Sequence, residues 1–290
     1  MSQKILITGT NSGFGRLASL ALARKGHTVF ATMRELDGRN RPAAEELRGI
    51  ASRENLKLHV LGVDLTSDAS VNAGVKDVLG RAEYLDVVVN NAGYSLLGLE
   101  ETLTTAQLQE QLEVNVVAPH RVMRAVLPTL RARGKGLVVN VSSGLGRLVL
   151  PFMGAYCASK AALEALTDSY RYELKPLGVD VTVLQPGAHP TDFVARLAAG
   201  KDPERAKGYG PLSNGVEMMT GALKQMISGP AAQNPNDVVD ALIKLIEAPA
   251  GTRPERVVID AAREGIEAVN NAHTALQKGV LGMMGMGNLT

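Results

Sequence analysis

The chain has 290 residues, 45% of them hydrophobic, with 30 glycines and 13 prolines, which is a globular composition rather than a disordered or collagen-like one. Thirty-one lysines and arginines stand against 29 aspartates and glutamates, and a formal charge of +2 is too balanced for a protein whose task is to neutralise a nucleic-acid backbone. The single cysteine, Cys157, excludes an internal disulfide, and no Cys/His cluster has metal-ligand spacing, so no metal is expected.

Short aliphatic runs at residues 5–7, 28–31, 58–61, 87–89, 137–141, 181–184 and 257–259 are the predicted strands. Most are continuous rather than alternating, as in strands covered on both faces, and the gaps between them carry helix-period segments. This alternation predicts an α/β fold, a single-domain Rossmann-like doubly wound parallel sheet with helices on both faces, spanning residues 1–290. Two regions break the rhythm. Residues 187–235, rich in glycine and proline around short apolar pieces, read as a substrate lid. Residues 281–290 are Gly/Met-rich and read as a tail, either flexible or covering a pocket. The chain opens on a strand rather than on a charged leader, and no apolar run is long enough to span a membrane. The expectation is a cytoplasmic protein without membrane or nucleic-acid partners.

The first strand runs into Thr8-Gly9-Thr10-Asn11-Ser12-Gly13-Phe14-Gly15, after which Leu17, Leu20, Ala21 and Ala23 continue on a helical period. Strand, glycine turn and helix in this order let the backbone approach a diphosphate while the helix N-terminus offers unpaired N–H groups. The G-x3-G-x-G spacing with its preceding threonine resembles the short-chain dehydrogenase/reductase family, in its non-extended branch. Further motifs fall in the family's order: Asp64 after the third strand, Asn90-Asn91-Ala92-Gly93 after the fourth, Tyr156-Cys157-Ala158-Ser159-Lys160 as Y-x-x-x-K, and Pro186-Gly187 with Thr191 as P-G-x-x-x-T.

The resemblance implies a nicotinamide dinucleotide on Gly9, Asn11, Ser12, Gly13, Phe14 and Gly15. Asp64 and Leu65 would lie at the adenine, Asn90, Asn91, Ala92 and Gly93 near the ribose, and Pro186, Gly187, His189 and Thr191 at the nicotinamide end. His189 is a departure, since the family usually has a small aliphatic residue there; a lone loop histidine is otherwise a polar surface group. At the end of the second strand an acid would accept from a ribose 2′-OH, whereas an arginine would pair with a 2′-phosphate. Met33 stands where NAD users carry aspartate and Arg34 follows it, favouring NADP(H). Glu35 and Asp37 are close enough to leave NAD(H) open.

Hydride transfer at a carbinol needs a group that exchanges a proton with the substrate oxygen. Tyr156 suits this role, because Lys160 at i+4 shares its helix face and a nearby ammonium, with a positively charged nicotinamide in the oxidised complex, favours the phenolate. In the family a serine precedes the tyrosine by 13 residues, the separation of Ser143 from Tyr156, so Ser143 is the expected donor to the substrate oxygen and Ser142 is structural. The asparagine that Asn115 matches perturbs its helix and holds a water linking the lysine, here Lys160, to solvent; a purely capping asparagine is the alternative. Lys160 would also hold the nicotinamide ribose, making Tyr156 and Lys160 cofactor contacts as well.

Ser95, Phe152, Met153 and Phe193 are expected to border the substrate, with Tyr94, Leu96, Arg147, Tyr209, Met218 and Met219. Most are apolar, favouring a hydrophobic secondary alcohol and its ketone or aldehyde, although Arg147 leaves an anionic substrate open. The helical patterns at 103–133 and 153–175 carry apolar residues on more than one face, and the resemblance adds a homodimer or homotetramer. The competing reading is a catalytically silent NADP(H)-binding regulator or scaffold on the same fold.

Overall fold

The computed structural model describes residues 2–290. Its first half alternates regularly: β1 (Lys4–Thr8), α1 (Gly13–Arg24), β2 (Thr28–Met33), α2 (Arg41–Arg53), β3 (Leu58–Gly62), α3 (Asp68–Ala82) and β4 (Val87–Asn90). A two-residue strand, β5 (Leu96–Leu97), precedes α4 (Thr105–Leu112), a π-helical turn over Glu113–Val117 and α5 (Ala118–Arg133). Then come β6 (Gly136–Val141), α6 (Gly154–Leu174), β7 (Val179–Pro186), the short β8 (Ala198–Ala199), α7 (Gly215–Ser228), α8 (Pro235–Glu247), β9 (Arg256–Ile259) and α9 (Arg263–Met283).

Seven strands form one parallel sheet in the order β3-β2-β1-β4-β6-β7-β9. Ile5 lies opposite both Val29 and Val87, so the central strands place their side chains in phase. Residues of one parity, among them Ile5, Ile7, Val29, Val87 and Val89, pack under α1, α2 and α8 through Leu20, Leu47 and Ile246. Those of the other parity, Leu6, Phe30, Val88 and Val138, pack under α3 and α5 through Val71, Val126 and Leu130. Burial on both faces explains why these strands are continuous rather than alternating runs of apolar residues. Because the chain leaves β1 in one direction across the sheet and returns to extend it from β4 in the other, a crevice opens at the carboxyl ends of these two strands.

The structure divides the 103–133 pattern into two helices. Thr104 and Gln107 form a reciprocal cap that starts α4, and the π-turn containing Asn115 separates it from α5. Residues 187–235 contain more regular structure than their composition suggests: β8 pairs in parallel with β5, and α7 runs for 14 residues. At the far end α9 continues to Met283, and the Lys175 ammonium donates to the Thr290 carbonyl. Among the described residues no helix is long and apolar enough to cross a membrane.

Candidate active site

The crevice is floored by the glycine turn. Gly9 and Gly13 adopt φ of +69° and +54°, in the left-handed region that a Cβ disfavours. A Cβ on Gly9 would lie 2.7 Å from the Ala92 Cα, and one on Gly15 would lie 2.4 Å from both Asn91 Nδ2 and the Gly9 carbonyl. Asn91 explains this close approach: its Nδ2 donates to the Thr8 and Gly9 carbonyls at 2.9 and 3.0 Å. Thr8 Oγ1 in turn accepts from the N–H groups of Asn91 and Ala92 at 3.0 and 3.1 Å. Asn91 and Ala92 therefore brace the turn. Ser12 at the head of α1 makes no side-chain cap, and the first turn of the helix holds no acid, which suits an anion.

Asn11 Nδ2 donates to Asn40 Oδ1 at 3.0 Å, and Asn40 Nδ2 donates to the Arg34 carbonyl at 2.7 Å. The glycine turn is thus tied to the residue after β2, through an asparagine that no motif marks. The Arg34 guanidinium is half exposed, 3.6 Å from Glu35, which itself sits at φ +54° and pairs with Arg39 at 3.1 Å. Hydrogen bonds from Thr66 N–H and Oγ1 hold the Asp64 carboxyl below its ordinary range, with Arg34 adding to the effect. The Leu65 carbonyl accepts from Arg121 at 2.6 Å. Asn90 turns its amide inward, donating to Asn140 at 2.8 Å, and Asn140 donates to Thr167 at 2.8 Å. Its side chain is a buried link between strands and α6 rather than a crevice group.

Tyr156, Lys160, Ser143 and Asn115 converge beside the glycine turn. Lys160, on α6, donates from Nζ to the Val141 carbonyl at 2.9 Å and lies 5.7 Å from the Tyr156 ring centroid. Burial lowers its pKa to about 8, with Glu164 opposing the shift. The Tyr156 phenol is pushed well above its ordinary value by burial, while a hydrogen bond from Ser143 pulls the other way. The Lys160 ammonium is directed to the Val141 carbonyl, and burial favours the protonated phenol. Asn115 accepts from Tyr94 N–H at 3.1 Å and donates to the Tyr94 carbonyl and to Ser159 Oγ, each at 3.0 Å. Four residues earlier, Gln111 donates to the same Tyr94 carbonyl at 2.7 Å and accepts from Leu96 N–H at 2.8 Å. Both amides serve the segment leaving β4, and a Cβ on Gly93 would lie 3.1 Å from Asn115 Oδ1 and 3.6 Å from Lys160 Nζ.

Pro186 ends β7, and Gly187 donates to the Ile259 carbonyl at 2.8 Å. Thr191 lies across from the glycine turn, 3.7 Å from a Cβ built on Gly13. His189 is not a surface group: it is 3% exposed, its ring meets Phe14 edge-on at 5.3 Å, and its Nδ1–H donates to the Gly187 carbonyl at 3.0 Å. Its Nε2 is buried without a protein partner.

Around Tyr156 lies an apolar cluster that includes Leu97, Met153, Val194 and Leu223, with Phe152, Phe193 and Met219 against it. Phe193 and Tyr156 have ring centroids 5.6 Å apart. Phe152 adopts φ +66° and fills the space beneath Gly215, where a Cβ would lie 2.1 Å from the ring. Ser95 is buried with Oγ donating to the Leu96 carbonyl at 2.9 Å. Three other residues expected at the substrate are elsewhere. Tyr209 donates to Glu101 on the surface at 2.9 Å, and Met218 is 73% exposed on the outer side of α7. Arg147 turns away to Glu164 at 3.2 Å and to Asn270 at 3.0 Å.

Sheet order, braced glycine turn and the Ser143–Tyr156–Lys160 grouping define a dinucleotide-binding dehydrogenase fold. The sequence profile of the short chain dehydrogenase family matches residues 3–202, and the chain belongs to that family of oxidoreductases. Human retinol dehydrogenase 8 is 33% identical over 261 residues, covering 86% of this chain and 78% of its own length. A short-chain dehydrogenase from Streptomyces avermitilis superposes with a TM-score of 0.77 at 28% identity, covering 99% of this chain and 98% of that one. An alcohol dehydrogenase from Thermococcus sibiricus, complexed with 5-hydroxy-NADP, gives 0.70 at 26% identity, covering 89% and 96% of the two chains.

Proposed function

We propose that this chain is an NADP(H)-dependent reductase that interconverts a hydrophobic secondary alcohol and its ketone. The observation that carries the reading is a buried Tyr156, one turn from Lys160 and within reach of Ser143, embedded in an apolar cluster beside the glycine turn. The crevice fits a dinucleotide: there is no room for a Cβ at Gly9 or Gly15, and the head of α1 is uncapped. Its diphosphate would rest on that helix N-terminus, and Arg34, held by Asn40 and Asn11, would face a 2′-phosphate. When bound, the cofactor supplies or accepts the hydride.

In the reducing direction Tyr156 donates its phenolic proton to the substrate oxygen as negative charge develops there, and Ser143 steadies that oxygen with a hydrogen bond. Lys160, brought to about 8, stands ready to return a proton to the phenolate at neutral pH. Asn115 braces the segment that lines this route. The substrate side offers apolar groups, and Arg147 is engaged elsewhere, which supports a neutral lipophilic substrate over an anion. The name of the human relative, retinol dehydrogenase 8, points to a lipophilic alcohol as well, although retinol is a primary one. We read residues 187–235 as the lid that closes this pocket, and the exposed Leu108, Val117 and Leu166 on the α4–α6 side as a face that meets a second copy.

The test is a side-by-side titration with NADPH and NADH by nicotinamide fluorescence, followed by turnover of apolar ketones. NADPH should bind more tightly, and Arg34→Ala should weaken it about tenfold or more, as expected for a lost charge-assisted contact, without changing NADH. Tyr156→Phe should keep cofactor binding and lower kcat by about 10²–10⁴-fold. NADPH binding without turnover of any ketone or alcohol would favour a silent regulator, and turnover surviving Tyr156→Phe would refute the mechanism.

A further inference from the structure

Behind the candidate site lies a buried ionic cluster that the reaction does not use directly. Glu164, one helical turn beyond Lys160 on α6, has no solvent exposure. Its Oε1 accepts from Ser142 Oγ and from Gln185 Nε2, each at 2.8 Å. Its Oε2 meets Arg147 Nε at 3.2 Å and Arg256 Nε at 3.4 Å. A Cβ on Gly146 would lie 2.4 Å from Oε1, so the chain after Ser143 is folded directly onto this carboxylate. One carboxylate thereby joins the ends of β6 and β7, the loop that follows Ser143 and the helix that carries Tyr156 and Lys160.

We infer that Glu164 is a positioning residue, fixing the Ser143 loop through Ser142 and placing a negative charge one turn from the Lys160 ammonium. The inference rests on Tyr156, Ser143 and Lys160 being the reacting machinery. Two separate consequences follow from two separate contacts. The Ser142 hydrogen bond is geometric, since Ser142 N–H also donates to the Leu184 carbonyl at 2.7 Å and its side chain sets how the next residue leaves the strand. The charge acts on Lys160, which is faced by Tyr156 from its own helix, by the Val141 carbonyl from β6 and by the neutral Asn115 amide. Glu164 is the charged group that opposes the lowering of Lys160 by burial. Its own field is tempered by Arg147 and Arg256. Next to them Asp168 pairs with Arg171 at 2.8 Å and with Arg256, and Glu255 and His273 border the same cluster.

Two variants of the full-length protein separate these effects. Glu164→Gln should shift the Lys160 titration midpoint down by about half a pH unit or more, because an opposite charge one turn away is removed. That midpoint is read by NMR of 13C-labelled lysine with Lys160→Met as the assignment control, so it stands whether or not a substrate is known. The alkaline limb of kcat/KM should move down with it. Ser142→Ala keeps the charge, and should lower kcat about tenfold while leaving the midpoint in place. An unchanged midpoint in Glu164→Gln would overturn the electrostatic role, and wild-type kcat in Ser142→Ala would overturn the geometric one. Should Glu164→Gln fail to fold, Arg147→Gln, which removes a positive neighbour, must move the midpoint upward; no upward shift would refute the charge coupling.

Discussion

Lys160 is placed at a cost that a single substitution should reveal. Burial lowers its pKa from 10.5 to about 8, and at about 1.4 kcal/mol per tenfold change in the protonation equilibrium this is a penalty of about 3 kcal/mol for carrying the ammonium in the folded chain. Methionine has a similar length and no charge, so Lys160→Met removes the penalty without leaving a large void. It also removes the 2.9 Å hydrogen bond to the Val141 carbonyl, worth about 1 kcal/mol. The variant should therefore be about 2 kcal/mol more stable than the parent at pH 7, with a Tm higher by roughly 4 °C, although it should be inactive. The sign of the pH dependence follows from the direction of the shift. As pH rises through about 8 the folded parent releases the Lys160 proton, whereas the unfolded chain keeps it until about 10.5. Over that window the parent gains stability relative to the variant, and above it the order should reverse by the lost hydrogen bond. Urea and thermal unfolding of both proteins from pH 6.5 to 11 give the difference directly, because other titrating groups cancel. A variant less stable at pH 7, or a difference flat with pH, would refute the idea that an unfavourably buried ammonium sits beside Tyr156.

Turnover in the reducing direction should fall about tenfold per pH unit above about 8, as Lys160 loses the proton with which it restores Tyr156; a flat profile to pH 10 would separate Lys160 from proton supply. Gly15→Ala introduces a Cβ 2.4 Å from Asn91 Nδ2 and the Gly9 carbonyl, so dinucleotide affinity measured by fluorescence should drop about tenfold or more, with about 1–3 kcal/mol lost in urea unfolding. Gly215→Ala drives a methyl into the Phe152 ring and should lift α7, raising KM for an apolar ketone by about tenfold with dinucleotide affinity retained. Unchanged KM there would mean that α7 does not bound the substrate.

The sheet was legible because its strands are buried on both faces: runs such as Val87-Val88-Val89 have no solvent-facing position at which a polar residue would obscure the pattern. Tyr156 and Lys160 were readable as a pair from their i+4 spacing on one helix, whereas Ser143 was singled out over Ser142 only by the family resemblance. The π-turn was hidden from periodicity, because Leu108, Leu112 and Val116 keep an unbroken every-fourth pattern while the distortion is set by what Asn115 grips on another segment; only the family resemblance pointed to a perturbed helix at Asn115. The pocket was the least legible part. Met218 and Met219 are neighbours in sequence, but α7 turns the first to solvent and the second to Tyr156. Arg147 was expected at the substrate and no motif marks Glu164, yet the fold encloses the two as a pair.

The C-terminal helix bears on how the chain can be divided. Family likeness is matched to residues 3–202, yet Arg147, next to the Ser143 loop, is held by Asn270 of α9, and Asn270 also donates to Gln185 at 2.7 Å. A segment beyond the residues matched by the family profile is thus wired into the support of the reactive serine. Chimaeras that exchange the last sixth of the chain among relatives should be felt in the chemical step as well as in substrate choice, unless Asn270 is preserved.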